Sequence, residues 1–357
     1  MTGTFEAQDG FEKCNFGSTE ALMHAMRRRR LSFSIENIFR QRRKLYTIKN
    51  PVRFTGVGLH SGERVTVSVY PPVSTLDFDG ILFRTSTASI PASYENVSDT
   101  NYCTTLSSSK AAGSSIQTVE HLLAAFYIVG IQSAVVEVDG SQELPILDGS
   151  CKPYCDALLN NIAPVQTPHE NMLKTLKIMQ PITVHSGDSH ATFLPKEELS
   201  GDCDSKLSVF VDVDFENFSL PRSQIQVEEN NFLTDVSSAR TFTFKRVLPA
   251  LKKSGLIKGG SLENAIVYDD SGVPLNAEPL RFENEFARHK ILDCVGDLSL
   301  IGGSNSPHGN IHKIEGTYKV YRPGHSINFK MVKKLMGILK EEESLGVPLS
   351  SRKLIVA

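Results

Sequence analysis

The two halves of this chain follow the same order of predicted secondary structure. Each half has a set of strands, a helix that carries a histidine, a further strand, a loop and a closing helix. The loops are residues 148–150 in the first half and 324–326 in the second. Agreement in order and spacing indicates a duplicated α+β unit. We therefore predict two repeated sheet-and-helix domains that form a sandwich, with the active site in the cleft between them.

The length of 357 residues is sufficient for two domains. We predict a first α+β domain over residues 45–165 and a second over residues 170–335, joined by a proline-containing linker. Residues 336–357 are expected to form a helix end and a tail. Residues 1–44 differ in composition from the remainder and are set apart as a basic arm.

Strand patterns are clearest in the first domain. Residues 64–70 alternate between valine and polar side chains, which predicts a half-buried strand. The glycine-rich residues 56–63 before it predict a hairpin loop, because no Lys-Ser/Thr pair or helix follows, as a phosphate-binding loop would need. In the second domain, the apolar residues 173–184 predict one strand.

The basic arm has the composition of an organelle transit segment. It is rich in arginine between residues 27 and 43, with apolar residues interleaved and Glu36 as the one acidic residue in that stretch. Acidic residues at Glu6, Asp9, Glu12 and Glu20 depart from this pattern, and a disordered basic arm is the alternative interpretation. We expect a mitochondrial location, with the plastid and the cytosol as alternatives.

Composition excludes several classes of protein. The net charge of -2 argues against a dominant role in binding nucleic acid, and no apolar stretch is long enough to predict a transmembrane helix. The six cysteines form no CxxC pair, so neither a disulfide scaffold nor a cysteine-ligated zinc site is expected.

One predicted helix carries a candidate pair of metal ligands. His289 and Asp293 are four residues apart and fall on one face, with Lys290 and Asp297 on the same arc. An exposed His–Asp ion pair is the ordinary explanation of such spacing. An imidazole nitrogen and a carboxylate oxygen are also suitable ligands for Zn²⁺, although a catalytic site needs a third ligand.

Two phenylalanines favour the metal-binding interpretation of this helix. Phe282 and Phe286 are predicted to project from the same arc as His289 and Asp293. An exposed ion-pair face would not normally carry two phenyl rings, whereas the wall of a partly apolar cleft would. The sequence therefore predicts that this face lines a binding site.

A second predicted helix offers the missing ligand. Thr118 is a plausible N-cap, and the apolar residues that follow it form a core-facing stripe that leaves Glu120 and His121 in the first turn. An exposed helix start is the ordinary explanation of such a pair. Together with the other helix, however, His121 would complete a His₂Asp ligand set, and Glu120 could reach a metal-bound water.

Six stretches in this order resemble the zinc-dependent UDP-3-O-acyl-N-acetylglucosamine deacetylases, which act in lipid A biosynthesis. The resemblance runs from about residue 46 to residue 335. The stretches are Thr55-Gly56-Val57-Gly58-Leu59-His60-Ser61-Gly62, Thr118-Val119-Glu120-His121-Leu122, Leu144-Pro145-Ile146-Leu147-Asp148-Gly149-Ser150, Ala239-Arg240-Thr241-Phe242, Gly260-Ser261-Leu262-Glu263-Asn264-Ala265 and His289-Lys290-Ile291-Leu292-Asp293. Combined with the basic arm, the resemblance predicts a plant organellar member.

The resemblance implies a role for each matching residue. It implies one Zn²⁺ ion, for which Fe²⁺ could substitute, held by His121, His289 and Asp293. It implies that Glu120 is the general base and that His325 is the cationic acid, oriented by Asp297. The implied substrate and oxyanion contacts are Thr241, Lys290, Phe242, Leu59 and His60.

The resemblance further implies the reaction and its partners. The expected reaction is hydrolysis of the N-acetyl group of UDP-3-O-acyl-N-acetylglucosamine, giving acetate and the free amine. The partner is a small acylated UDP-amino sugar, whose acyl chain would allow peripheral contact with membrane lipid. After His325 the chain departs from the family pattern, because Phe329 stands where a second asparagine is usual, which affects the expected sugar contacts.

Two alternatives remain at this stage. A non-haem Fe(II) enzyme also uses two histidines and one carboxylate, although it has no need of an acid–base pair such as Glu120 and His325. A catalytically idle homologue that binds lipid or sugar nucleotide would keep the same residues, because the presence of a residue does not measure turnover.

Overall fold

The computed structural model describes residues 46–72, 80–164, 174–196, 207–215, 219–301, 311 and 313–356. The predicted basic arm of residues 1–44 lies outside the described residues. Among the helices that the structure describes, none is both long enough and apolar enough to cross a membrane.

The first half of the chain contains ten strands and two helices within its described residues. The helices are α1 (Glu120–Val129) and α2 (Lys152–Leu159). The strands are β1 (Tyr46–Ile48), β2 (Val52–Val57), β3 (Arg64–Tyr70), β4 (Ile81–Arg84), β5 (Ser89–Pro91), β6 (Val97–Asp99), β7 (Thr105–Ser107), β8 (Ser115–Ile116), β9 (Ala134–Asp139) and β10 (Ile162–Pro164).

The second half contains nine strands and four helices within the part that the structure describes. The helices are α3 (Phe232–Asp235), α4 (Leu248–Lys253), α5 (Glu285–Leu298) and α6 (His325–Ser344). The strands are β11 (Thr175–Ile178), β12 (Ile182–Ser186), β13 (Ser189–Leu194), β14 (Leu207–Val213), β15 (Ser223–Glu228), β16 (Phe242–Phe244), β17 (Ile266–Tyr268), β18 (Lys313–Tyr321) and β19 (Leu354–Val356).

The main sheets of the two halves have the same topology. The order is β2-β3-β9-β4-β5 in the first sheet and β12-β13-β18-β14-β15 in the second, which β11 and β19 extend. In each sheet the central strand pairs antiparallel with one neighbour and parallel with the other. The mixed helices and sheets confirm the predicted α+β class, and the shared topology supports a duplicated unit. The exact domain boundaries stay a prediction.

Helices α1 and α5, which carry the candidate ligands, pack against each other. All ten residues of α1 are buried, so this helix has no solvent-facing side. Gly296 allows α5 to approach α1 closely, because a Cβ atom at that position would overlap the backbone oxygen of Glu120. The contact brings a helix from each half together along the candidate site.

The valines of β3 face the core as predicted, although Ser68 on the opposite face is also buried. Val65, Val67 and Val69 are buried in the core, and β3 pairs antiparallel with β2 across the predicted hairpin loop. The single strand predicted over residues 173–184 is instead two strands, β11 and β12. Pro181 lies between them and has no backbone N–H to donate to a sheet.

Three local predictions about the ligand helices are wrong. Thr118 is not the N-cap of α1, because it has a positive φ of 58° and its hydroxyl donates to Glu143 instead. Phe282 precedes α5, and its ring lies under the guanidinium of Arg288 at 4.5 Å. Phe286 is within α5 but packs against other aromatic rings, 3% exposed, rather than facing the candidate site.

Candidate active site

Three potential metal ligands converge where α1 meets α5. One ligand atom each from His121, His289 and Asp293 lies within 4.8 Å of the other two. The two imidazole rings are edge-to-face, with centroids 5.0 Å apart. Atoms bonded to one ion at about 2.0–2.2 Å lie at most about 4.4 Å apart, so small side-chain movements would allow these three groups to share an ion. The first half of the chain supplies one ligand, and the second half supplies two.

The chemistry of these groups fits a divalent metal ion. Nδ1 of His289 is 3.0 Å from the backbone oxygen of Ala239, which directs its Nε2 toward Asp293 at 3.4 Å. A hydrogen bond of this kind commonly orients a metal-binding histidine. Nδ1 of His121 is buried and has no hydrogen-bond partner among the described residues. Two imidazoles and a carboxylate suit Zn²⁺, and Fe(II) can use the same set.

The environment keeps both imidazoles neutral. Burial, reinforced by the neighbouring His289, lowers the pKa of His121 to about 3. Burial also lowers the pKa of His289, even though Asp293 acts in the opposite direction. A neutral imidazole has a free nitrogen lone pair, so both histidines are in the protonation state that metal binding requires.

Asp293 is held in its charged form. Burial alone would raise its pKa, but Lys290 and the surrounding histidines hold the pKa of Asp293 well below its usual range. Lys290 Nζ donates to Asp293 Oδ2 at 2.9 Å, and the pKa of Lys290 is raised because this carboxylate outweighs the effect of burial. The third ligand is therefore negatively charged.

Glu120 lies beside the three ligands, and each of its two carboxylate oxygens has an identified neighbour. Its Oε2 accepts the backbone N–H of Thr104 at 3.0 Å, and its Oε1 is 3.8 Å from Nε2 of His325. Burial raises the pKa of Glu120 to about 7 despite the attraction of His325. A carboxyl group with such a pKa can accept and release a proton near neutral pH.

His325 is the first residue of α6 and is paired with Asp297. Its Nδ1 is 2.9 Å from Asp297 Oδ2, an oxygen that also accepts the side-chain amide of Asn328 at 2.9 Å. Burial alone would lower the pKa of His325, but Asp297 and Glu120 raise it to about 10. His325 is therefore cationic at neutral pH and has a proton to donate.

These groups open into a cleft of about 450 Å³. The predicted contacts Thr241, Phe242, Lys290, Leu59 and His60 all line it together with the ligands, Glu120 and His325. Asp297 is 2% exposed and acts from behind His325. The structure thus brings every predicted site residue to one cleft or directly behind it.

A second, more apolar groove of about 280 Å³ continues from this cleft. The two share five lining residues, and the groove is otherwise lined mainly by apolar side chains from α4 to β17. The shared residues are Leu59, His60, Tyr102, Thr241 and Phe242. The site therefore has a polar centre with an adjoining channel that suits a hydrocarbon chain.

The loop that carries Leu59 and His60 is fixed by a buried carboxylate. Glu143, 1% exposed, accepts the backbone N–H groups of His60 at 2.8 Å and Ser61 at 2.7 Å, and the hydroxyl of Thr118 at 3.1 Å. Both ring nitrogens of His60 are buried without a hydrogen-bond partner among the described residues. The side chain of His60 nevertheless forms part of the cleft wall.

Sequence reasoning missed several residues that shape this site. Glu143 and Asn328 anchor the groups described above, and Thr104 donates from its hydroxyl to Asp297 Oδ1 at 2.6 Å. Tyr102 and Cys103 line the cleft from the same segment as Thr104. No periodicity or spacing distinguishes Glu143, Asn328 or Thr104, because each acts on a partner that is far away along the chain.

Comparison with known proteins gives a family match over the same part of the chain. Residues 45–337 match the family model described as UDP-3-O-acyl N-acetylglycosamine deacetylase (LpxC). This range contains all the ligands, Glu120, Asp297 and His325.

Curated relatives cover most of the chain at substantial identity. The UDP-3-O-acyl-N-acetylglucosamine deacetylase of Pseudomonas entomophila (strain L48) is 40% identical over 299 residues, which are 81% of this chain and 89% of the relative. The protein of the same name from Saccharophagus degradans is 39% identical over 308 residues, covering 84% of this chain and 92% of the relative. The protein of the same name from Shewanella sp. (strain ANA-3) is 37% identical over 318 residues, which are 85% of this chain and 95% of the relative.

Proposed function

Because the chain belongs to the UDP-3-O-acyl N-acetylglycosamine deacetylase family, we propose that it hydrolyses the N-acetyl group of a UDP-3-O-acyl-N-acetylglucosamine in lipid A-type biosynthesis. The products are acetate and the UDP-3-O-acyl-glucosamine. The observation that carries this proposal is the convergence of His121, His289 and Asp293 beside the acid–base pair Glu120 and His325. A metal-dependent hydrolase combines such a ligand set with groups that move protons.

The ligand set is proposed to hold one Zn²⁺ ion. When bound, such an ion lowers the pKa of water and polarises an amide carbonyl. Two neutral imidazoles and one carboxylate balance a single divalent ion to a net charge of about +1. The test is metal analysis of the purified protein, in which about one equivalent of zinc is expected, and predominant iron would favour the Fe(II) alternative.

Glu120 is assigned the role of general base. Its Oε1 faces the cleft near His325, and burial, which raises the pKa of Glu120 to about 7, makes it an effective proton acceptor. It takes a proton from water as the water oxygen attacks the amide carbon. General-base catalysis of this kind contributes typically about 10²–10⁴-fold to a rate.

His325 is assigned the role of general acid. Its Nδ1 is committed to Asp297, so its Nε2 is the atom that can donate into the cleft. When the C–N bond breaks, the departing amine takes the Nε2 proton. The raised pKa of His325 keeps this proton in place until the leaving group needs it.

Thr241 and Lys290 are assigned to the carbonyl oxygen and neighbouring substrate oxygens. The backbone of Thr241 is fixed on both sides, because its N–H donates to Gly149 at 2.7 Å and its carbonyl accepts from Ile266 at 2.8 Å. A donor held in place in this way stabilises developing negative charge, typically by about 3 kcal/mol. The acyl chain is assigned to the apolar groove that adjoins Phe242.

The experiment that tests the function is direct. The purified protein, supplied with zinc, is incubated with UDP-3-O-acyl-N-acetylglucosamine, and acetate release is measured. Release that stops with a chelator and returns with zinc is expected. No release from protein with zinc in place would overturn the proposal and favour an idle homologue that binds lipid or sugar nucleotide.

We further propose that residues 1–44 direct the protein to an organelle, and that this organelle is the mitochondrion rather than the plastid. The support is the composition of the segment, which has arginines at positions 27–30 and again at 40, 42 and 43, with apolar residues between the two groups. A fluorescent protein fused behind residues 1–60 is expected to enter mitochondria in plant cells. A matched fusion with Arg27–Arg30 changed to alanine is expected to stay in the cytosol, and plastid or cytosolic location of the first fusion would contradict the proposal.

A further inference from the structure

We propose that Thr104 is a positioning residue that ties the general base Glu120 to Asp297, the carboxylate that holds His325. The inference rests on the proposed function for the roles of these partners. Its basis in the structure is that one buried residue makes hydrogen bonds to both carboxylates through different atoms. Thr104 thereby fixes the positions of Glu120 and His325, the two groups that move protons, relative to each other.

The backbone of Thr104 is fixed at the beginning of α1. Its carbonyl accepts the N–H of Val119 at 3.4 Å, and its own N–H donates to Glu120 Oε2 at 3.0 Å. Glu120 therefore has one oxygen occupied by a backbone donor. The other oxygen, Oε1, points toward His325 and the cleft, which is the orientation that a general base requires.

The side chain of Thr104 reaches α5 in the other half of the chain. Its hydroxyl donates to Asp297 Oδ1 at 2.6 Å, and the residue is only 2% exposed. Because the carboxylate can only accept, the hydroxyl must be the donor. His325 and Asn328 both lie at the other oxygen, so Thr104 is what fixes the rotation of the carboxylate plane.

Thr104 acts from outside the cleft. The residues that line the cleft include its neighbour Cys103 but not Thr104 itself. Removal of its hydroxyl should therefore leave substrate binding intact and impair the proton transfers. This separates a positioning residue from a substrate contact, for which KM would change.

The test compares Thr104→Val, which keeps the shape and loses the hydroxyl, with Thr104→Ser, which keeps the hydroxyl. Thr104→Val is expected to lower kcat about 10-fold or more, because a hydrogen bond to a charged group is lost. KM and zinc content should not change, and Thr104→Ser should restore most of kcat. Thr105→Val is the matched control, because that hydroxyl lies near Cys103 Sγ rather than Asp297.

A double-mutant cycle identifies the partner. If Thr104 acts through Asp297, then Thr104→Val should change kcat by less than about twofold in an Asp297→Asn background. The proposal would be overturned if Thr104→Val lowered kcat by the same factor in the unaltered protein and in the Asp297→Asn protein. Full kcat in the Thr104→Val protein would also overturn it. Failure of the proposed function is distinguishable, because it would appear as no acetate release from the unaltered protein.

A measurement without catalysis gives a second readout. The proton shared by His325 Nδ1 and Asp297 should give a low-field proton resonance, identified by its absence in His325→Ala. Thr104→Val should shift or broaden this resonance in folded protein, whereas Thr105→Val should leave it unchanged. An unshifted resonance in Thr104→Val would overturn the proposal even if the protein had no deacetylase activity.

Discussion

Asp293 and Glu120 are both buried carboxyl groups, but their pKa values are shifted in opposite directions. Burial favours the neutral form of each. At Asp293 the cation of Lys290, 2.9 Å away, and the nearby histidines outweigh burial and lower the pKa. At Glu120 burial prevails over the attraction of His325, and the pKa rises to about 7. One group therefore stays charged and the other can exchange a proton.

At the scale of single residues, the ligand and acid–base roles predict different losses. His289→Ala should abolish stoichiometric zinc binding, because only two of the three ligands remain. Glu120→Ala and His325→Ala should keep zinc and lower kcat by about 10²–10⁴-fold, since each removes a group that moves a proton. Metal analysis and acetate release on the same samples check this. Full activity in zinc-loaded Glu120→Ala protein would refute the mechanism.

The second residue-scale prediction concerns pH. Burial alone would lower the pKa of His325, but Asp297 and then Glu120 raise it, so the cation is lost only as pH rises through the raised pKa. Asp297→Asn removes the larger of these raising interactions. The alkaline limb of the pH–rate profile should therefore move to lower pH in this variant. A limb at the same pH in both proteins would show that it reports a different group.

At the scale of elements, the contact between α1 and α5 sets the geometry of the site. Gly296→Ala should reduce the free energy of unfolding by about 1–3 kcal/mol, because its Cβ would overlap the backbone oxygen of Glu120. The helix that carries Glu120 and His121 would shift, so zinc affinity should fall as well. Thermal unfolding and zinc titration measure both effects.

Gly337→Ala in α6 is the matched control for Gly296→Ala in α5. Outside its own helix backbone and chain neighbours, a Cβ at Gly337 would meet no atom of the described residues within 4 Å, and the position is inside a helix. Alanine there should stabilise the protein by about 0.4–1 kcal/mol, because glycine loses more backbone entropy on folding. Equal destabilisation by the two substitutions would mean that the close helix contact is not the cause.

At the scale of the whole molecule, the metal site joins the two halves of the chain. His121 comes from the first half, and His289 and Asp293 from the second, so metal removal should weaken the native state globally. An ion that binds only the folded protein adds about 2.7 kcal/mol at 100 times its Kd. A chelator should therefore lower Tm, and zinc should restore it. His289→Ala protein should show no such chelator-dependent change in Tm.

The overall fold was largely predictable because its signals are local. The alternation in β3 and the strand–helix order of each half depend on neighbours a few residues apart, and the structure confirms them as parts of an α+β fold. The same local rules misplaced Phe282 and the N-cap of α1. At Thr118, a hydrogen bond to Glu143, which is 25 residues away, overrides the preference of threonine for a helix start.

The amino-acid sequence establishes which groups are present and how they are spaced on each helix. The i, i+4 spacing alone places His289 and Asp293 on one face, and the order of motifs supplies His121, Glu120 and His325. That the groups on α1 and α5 meet is a property of the fold, because packing joins residues that the chain separates. Burial, which shifts their pKa values, and Thr104, which contacts Asp297 193 residues away, depend on that packing.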